Sequence, residues 1–260
     1  MDHLHLDEST LPDINVVHGC QYTAFMIELR SHKALSFVLR NFLDNLSTQW
    51  AVVVVHGTDN HSFLKTIIDN DLNHHRSRIH CINLGLPQIT LEQYNDLMYN
   101  PQLYDYIPTE KFLVFQTDSM IFAKNKNRIN DYLHYDYVGG PWAHTEGILS
   151  QIQVGNGGLS LRSKSKMLEL LQFRDRYAPY QHGYGKYMAE DWFFTGYFVP
   201  NVEVLRPTKA QAINFSIDTI YTPDAFGTHK CWQWLPPHQL SQLLEIHPEL
   251  GELQRIGAKL

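Results

Sequence analysis

Cysteine is scarce in this chain: Cys20, Cys81 and Cys231 stand far apart and form no Cys-x-x-Cys pair. An odd, scattered set argues against a disulfide framework or a zinc ribbon and fits a reducing compartment. Long apolar runs are missing too, so no stretch reads as a membrane-spanning helix. The opening Met-Asp-His-Leu-His-Leu-Asp-Glu is acidic and has no apolar core, so it reads as neither a signal peptide nor an anchor. The glycosylation triplets at Asn45, Asn60 and Asn214 are therefore read as chance matches. Positive charge is sparse: the net charge is −6, the pI is about 6.2, and there is no long basic run. That argues against a nucleic-acid partner. No internal repeat, low-complexity tract or linker divides the 260 residues. The expected organisation is a loose lead-in over 1–20, one domain over 21–235, and a C-terminal amphipathic helix within 236–260.

What the chain does contain is a series of short apolar runs that alternate with helical patterns. Residues 22–29, 50–55, 80–84 and 112–115 read as strands, of which 50–55 and 112–115 are near-continuous apolar runs that read as buried on both faces. Between the first two, Leu35, Val38, Leu39, Phe42, Leu43 and Leu46 carry the spacing of one helix face. Shorter helices are expected over 63–68, 90–106 (with a break at Pro101), 130–135 and 164–174, and one opens at Glu190. A further strand is expected over 203–206, and the final helix over about 238–253. Strand and helix in alternation predict an α/β fold, a mostly parallel central sheet flanked by helices. In such a sheet ligands collect beyond the carboxyl ends of the strands.

Several stations fall at such ends. Asp118 closes Phe-Gln-Thr-Asp just after the fourth strand, where a carboxylate suits a divalent cation or simply starts a turn. Glu28 and Arg30 follow the first strand, and Asp59 and Asn60 follow the second. These can meet a pyrimidine edge or a phosphate, or be ordinary loop polarity. Gly-Asn-Gly-Gly at 155–158 lacks the ending of a Walker loop and is no dinucleotide fingerprint. It lets backbone approach a ligand, or makes a tight turn. Glu190-Asp191 supplies a general base or merely favours a helix N-terminus. His229 in Phe-Gly-Thr-His-Lys is a candidate metal ligand among 15 histidines, with Lys230 beside it as a cation for phosphate. Residues 177–187, rich in Tyr, Gly and His, read as a mobile loop.

Taken in order, these stations resemble a glycosyltransferase of the A-type (GT-A) fold. The closer resemblance is to a poorly characterised glycosyltransferase-like family of the unknown-function type. It rests on Ile-Glu-Leu-Arg-Ser-His at 27–32, Val-Leu-Arg-Asn-Phe-Leu at 38–43, His-Gly-Thr-Asp-Asn at 56–60 and Phe-Gln-Thr-Asp-Ser at 115–119. It continues through Tyr-Val-Gly-Gly-Pro-Trp at 137–142, Gly-Asn-Gly-Gly-Leu-Ser-Leu-Arg at 155–162, Glu-Asp-Trp-Phe-Phe at 190–194 and His-Lys-Cys-Trp at 229–232. The GT-A metal motif is Asp-any-Asp, and here Gln116-Thr117-Asp118 stands in its place, one carboxylate short.

The resemblance implies transfer of a sugar from a nucleotide-diphosphate sugar, a uridine diphosphate (UDP) sugar first, to a hydroxyl of a glycan or protein acceptor. Asp118 and His229 would hold Mn²⁺ or Mg²⁺ on the diphosphate. Glu28, Arg30, Asp59, Asn60, Gln116 and Lys230 would contact the donor, and Gly157 and Gly158 would face the sugar. Asp191 or Glu190 would be the base of an inverting reaction. The substitution at Gln116 keeps a non-catalytic carbohydrate-binding or scaffold role as the alternative. A nucleotidyltransferase would need a basic Gly-rich loop near the N-terminus, and a metal hydrolase more clustered carboxylates and histidines.

Overall fold

A computed structural model describes residues 19–143, 146, 150–179 and 183–257. Most of the expected lead-in, residues 1–18, lies outside them, as do 180–182 of the expected mobile loop. The first half is built from β1 (Tyr22–Ile27), α1 (Leu35–Asn45), β2 (Trp50–His56), α2 (His61–Asn70), β3 (Ile79–Asn83), α3 (Leu91–Met98) and β4 (Lys111–Phe115). Then come β5 (Ser119–Ile121), β6 (Tyr137–Gly139), β7 (Leu159–Ser163), α4 (Lys164–Leu171), α5 (Arg174–Tyr177) and α6 (Glu190–Phe194). The chain continues through α7 (Lys209–Ala212), β8 (Ser216–Ile217), β9 (Gly227–His229), α8 (Pro237–Ile246) and α9 (Glu249–Gly257).

Six strands form the main sheet in the order β3-β2-β1-β4-β7-β6. The first four run parallel, and the α/β class expected of a GT-A-like chain, a mostly parallel sheet flanked by helices, is what these strands build. Alternation along each strand feeds two cores. Met26, Val52, Val54 and Phe115 face α1 and α2, while Phe25, Val53, Val55 and Val114 face α3, α4 and α6. Burial on both faces is why these strands read as unbroken apolar runs. Among the described residues no helix is long and apolar enough to cross a membrane.

One reversal of direction matters for the site. β7 runs antiparallel to β4, with Phe115 opposite Leu159 and Lys111 opposite Ser163. The start of β7 therefore lies beside the end of β4. The Gly-rich turn that precedes β7 falls on the same edge as Asp118, although a parallel strand would have carried it to the far side. A second sheet, β5-β9-β8, covers that edge, and none of its strands exceeds three residues.

Other expectations are corrected. Residues 203–206 form no strand: the segment meets the sheet through Leu205, whose N–H donates to the Asp136 carboxylate at 2.9 Å and whose carbonyl accepts from Asp136 and Tyr137 N–H at 2.7 and 3.4 Å. No helix covers 130–135: a 3₁₀ segment, Ala123–Asp131, ends there, and a turn over 132–134 follows. The helix expected over 90–106 ends at Met98, and Pro101 opens a separate 3₁₀ turn, Pro101–Tyr106. The final helix is two, α8 and α9, broken around His247-Pro248, since proline cannot continue the backbone ladder. Leu243, Leu250 and Leu253 from this pair are fully buried in the core beside α1.

Candidate active site

The turn after β4 is held by one hydroxyl. Ser119 Oγ donates to the Gln116 carbonyl at 2.7 Å and accepts from the Gln116 N–H at 2.9 Å. Thr117 and Asp118 are pushed out at the tip. β5 then pairs with β9, with Ser119 opposite His229, and Lys230 N–H donates to the Asp118 carbonyl at 2.8 Å. The pairing brings together two residues more than a hundred positions apart: His229 Nε2 lies 3.3 Å from Asp118 Oδ1. On the other edge of the ring, Nδ1 lies 3.4 Å from Asp218 Oδ1. His229 and Asp218 are buried, and Asp118 is partly exposed.

Despite these approaches, Asp118 Oδ1, Asp218 Oδ1 and both imidazole nitrogens make no well-aligned hydrogen bond. The contacts are electrostatic. Burial pulls the imidazole down, but the Asp118 charge and the flanking carboxylates override it and lift His229 to about 9. Burial would raise Asp118, yet the His229 ring and Lys230 hold it down at about 2.

The Gly-rich turn packs these groups against the next pair. Asn156 takes a left-handed conformation at φ 55°, and its Oδ1 accepts from Gly158 N–H at 3.0 Å. A Cβ on Gly158 would stand 2.3 Å from the His229 ring, and one on Gly157 would stand 2.4 Å from Glu190 Oε1. Gly157 and Gly158 thus line up with protein side chains, and the sugar-facing role expected of them has this packing as its competitor. Gly158→Ala is expected to displace an imidazole that has no free direction to move. A loss of about 1–3 kcal/mol in urea unfolding would be the result.

The acidic pair divides its labour. Both Glu190 oxygens are held by Arg162, at 2.6 Å from Nη1 and 3.1 Å from Nη2. Arg162 is fully buried on β7, with its guanidinium between the rings of Tyr137 and Phe194 at 5.3 and 5.6 Å. Glu190 is therefore not free to act as the expected alternative base. Among the described residues Asp191 accepts one N–H, from Gly157 at 3.0 Å. Burial and the neighbouring Glu190 raise it to about 6.

A cleft of about 280 Å³ opens beside Asp118, at the ends of β1 and β4, lined by Glu28, Arg30, Tyr94, Gln116 and Thr117. Arg30 folds back on Glu28, with Nε and Nη2 at 2.9 and 2.8 Å from its carboxylate. Asn60 and Asp59 do not line this cleft. Asn60 is fully buried, accepting from Gly57 N–H and donating to the Glu28 and Arg30 carbonyls, so its amide ties the ends of β1 and β2 together. Asp59 is exposed and accepts from Thr58 Oγ1 at 3.1 Å. The Asn60 amide is thus committed to backbone and not to the donor contact expected of it. Of the expected mobile loop, the part over 183–187 is tied to α3: Tyr184 O accepts from Asn95 Nδ2 at 2.6 Å, and Lys186 N–H donates to Asp96 at 3.1 Å.

A family model described as "Protein of unknown function (DUF5672)" matches residues 81–229, more than half of the chain. The chain belongs to the DUF5672 family. The matched span of this DUF5672 protein starts in β3 and ends on His229. It holds Asp118, the Gly-rich turn, Arg162, Glu190, Asp191 and Asp218, while Glu28, Arg30, Asp59 and Asn60 lie before it. No curated protein matches. Among solved structures, the crystal structure of S. aureus TarS 1-349 superposes with a TM-score of 0.47 at 12% identity, covering 91% of this chain and 69% of that one.

The donor set of the DUF5672 protein fits a hard divalent cation. One oxygen of the partly exposed Asp118 carboxylate and one imidazole nitrogen adjoin each other, and among the described residues these two atoms are buried without a hydrogen-bond partner. Two protein ligands leave the remaining positions for water and phosphate oxygens, as Mg²⁺ and Mn²⁺ sites on nucleotides commonly do. Asp218 is not a third ligand to the same point, because the two ring nitrogens sit on opposite edges. Elsewhere Asp44, His74 and His75 form an exposed group, where His75 Nε2 meets Asp44 Oδ1 at 2.7 Å as a surface ion pair. Sequence reasoning missed Asp218, one of several polar residues alternating with Phe215, Ile217 and Ile220, and gave no role to Arg162, the single charge in Leu-Ser-Leu-Arg-Ser.

Proposed function

We propose that this DUF5672 protein is a glycosyltransferase that moves a sugar from a nucleoside diphosphate sugar to an acceptor hydroxyl, with inversion. The observation that carries the reading is the meeting of Asp118 Oδ1 and His229 Nε2, both unsatisfied, at the mouth of the parallel strands, beside a cleft and next to Asp191. Asp118 and His229 would hold Mn²⁺ or Mg²⁺, which when bound offsets negative charge on the leaving diphosphate. Lys230, held in place through its own N–H on the Asp118 carbonyl, adds a cation on the same side. Tyr94, Gln116 and the Glu28–Arg30 pair line the space for the nucleoside, and uridine is the first base to test.

Asp191 receives the proton of the acceptor hydroxyl. The acceptor oxygen forms its bond to the anomeric carbon as the bond from that carbon to the diphosphate oxygen breaks, and the pair of electrons leaves with the diphosphate. Glu190, neutralised by Arg162, fixes the start of α6 and so aims Asp191. A raised carboxylate pKa suits a base that must hold a proton in transit.

A second reading, a carbohydrate-binding or scaffold protein on the same fold, is favoured by Gln116. Its amide points to Tyr94 Oη at 3.4 Å and supplies no charge for a cation. A thermal-shift panel of nucleoside diphosphates, each with and without Mn²⁺, separates the two. Selective stabilisation that requires both components is expected, because a ligand bound only by the folded state raises its stability. Indifference to every nucleotide would leave the scaffold reading. Asp118→Ala is expected to remove the Mn²⁺-dependent part of donor binding in calorimetry while the chain stays folded. Unchanged binding would remove Asp118 from the site.

A further inference from the structure

We infer that Asp218 is the positioning residue for His229, holding the imidazole with Nδ1 protonated so that the Nε2 lone pair faces Asp118 and the cation. This deepens the proposed function and rests on its assignment of Asp118 and His229 as ligands. In the small sheet β9 is the central strand, and Ile217 pairs with Thr228 in parallel, which carries Asp218 alongside His229 on one flank. Ser119 pairs with His229 on the other flank, which brings Asp118 to the opposite edge of the ring. The imidazole is thereby bracketed, with Nδ1 at 3.4 Å from Asp218 and Nε2 at 3.3 Å from Asp118.

Burial makes the arrangement specific. Asp218 is 3% exposed, and its Oδ1 has no hydrogen-bond partner. A buried, unpaired carboxylate oxygen is unfavourable unless it faces a positive or donating group. The group it faces is the imidazole edge turned away from the cleft, because the other edge and Asp118 face the candidate cation. A carboxylate behind a ligating histidine fixes its tautomer and raises its basicity, and removing such a partner commonly weakens metal affinity 10- to 100-fold. Asp218 is too far round the ring to be a ligand at Nε2, so its effect must pass through His229. The Gly158 contact on the ring face closes the remaining direction in which the ring could turn.

Two measurements test this. The first is a Mn²⁺ titration followed by electron paramagnetic resonance on the full chain and on Asp218→Asn, Asp218→Glu and Asp118→Asn. Asp218→Asn keeps an oxygen but loses the charge, and about a 10- to 100-fold loss of affinity is expected, with partial recovery in Asp218→Glu. Asp118→Asn should remove binding outright. Affinity within twofold of wild type for Asp218→Asn overturns the positioning role while leaving the ligand assignment standing. Unchanged binding in Asp118→Asn overturns the ligand assignment, and the positioning role with it. The second needs no variant: a long-range ¹⁵N–¹H spectrum of the wild-type protein with ¹⁵N-histidine and bound Mg²⁺. His229 should appear as the Nδ1–H tautomer; an Nε2–H signal would overturn the inference.

Discussion

Arg162→Met is expected to lower the unfolding free energy by about 3–5 kcal/mol, the range for breaking a buried ion pair by removing one partner. The reason is the carboxylate left behind. Glu190 is buried, and both of its oxygens are occupied by the guanidinium. Without Arg162 it must either stay charged in a site with no counter-ion or take up a proton. Methionine fills much of the space between Tyr137 and Phe194, so the loss is electrostatic more than steric. The double change Arg162→Met with Glu190→Gln should recover a large part, since it removes the orphaned charge as well. Urea unfolding of the wild type, both single variants and the double gives the coupling directly. A single-variant loss under about 1 kcal/mol would mean that the pair is solvated and does not organise α6.

The same pair explains how far the sequence could be read. β1, β2 and β4 were legible because a strand buried on both faces must be apolar throughout, and all seven residues of β2 are buried. The helix of Leu35–Asn45 was legible from its spacing for the same reason: Val38, Leu39, Phe42 and Leu43 are its inward face. Direction was not legible. Nothing in Leu159–Ser163 announces that it runs against β4, because the hydrophobic pattern of a buried strand is identical either way. The second sheet was hidden by length, since two or three residues carry no period.

At the site, the pairing of Asp118 with His229 was expected from the resemblance to GT-A chains, whereas the role of Asp218 depends on a register that only the fold supplies. The choice between Glu190 and Asp191 was likewise invisible. Adjacent acids at a helix start look alike in sequence, and Arg162, 28 residues earlier, is what distinguishes them. Asn60 misled for a related reason: a polar residue just past a strand end can face ligand or backbone, and here the backbone takes the whole amide.

The largest effect on activity is expected from Asp191→Asn, which should reduce transfer by about 10²–10⁴-fold while leaving donor and Mn²⁺ binding intact. The side chain accepts from Gly157 N–H, and an asparagine oxygen can do the same, so the local geometry survives. What disappears is the ability to take a proton. The pH dependence follows from the sign of the shift. Asp191 is raised from 3.8 to about 6 by burial and by Glu190, so the folded state favours its protonated form. Its contribution to stability is complete below about pH 4 and is lost as pH rises through about 6. Catalysis runs the other way, because the base must be ionised, and kcat should climb through the same interval to a plateau. Asparagine is neutral throughout and should abolish both trends. Above pH 7 the variant should therefore be at least as stable as wild type and nearly inactive, a combination that general unfolding cannot produce. Thermal melts and initial rates from pH 4 to 8, on the same two proteins, measure both. If Asp191→Asn retained transfer with the wild-type pH profile, the proton would have to go to a group other than Asp191, and Glu190 could take it only by releasing Arg162.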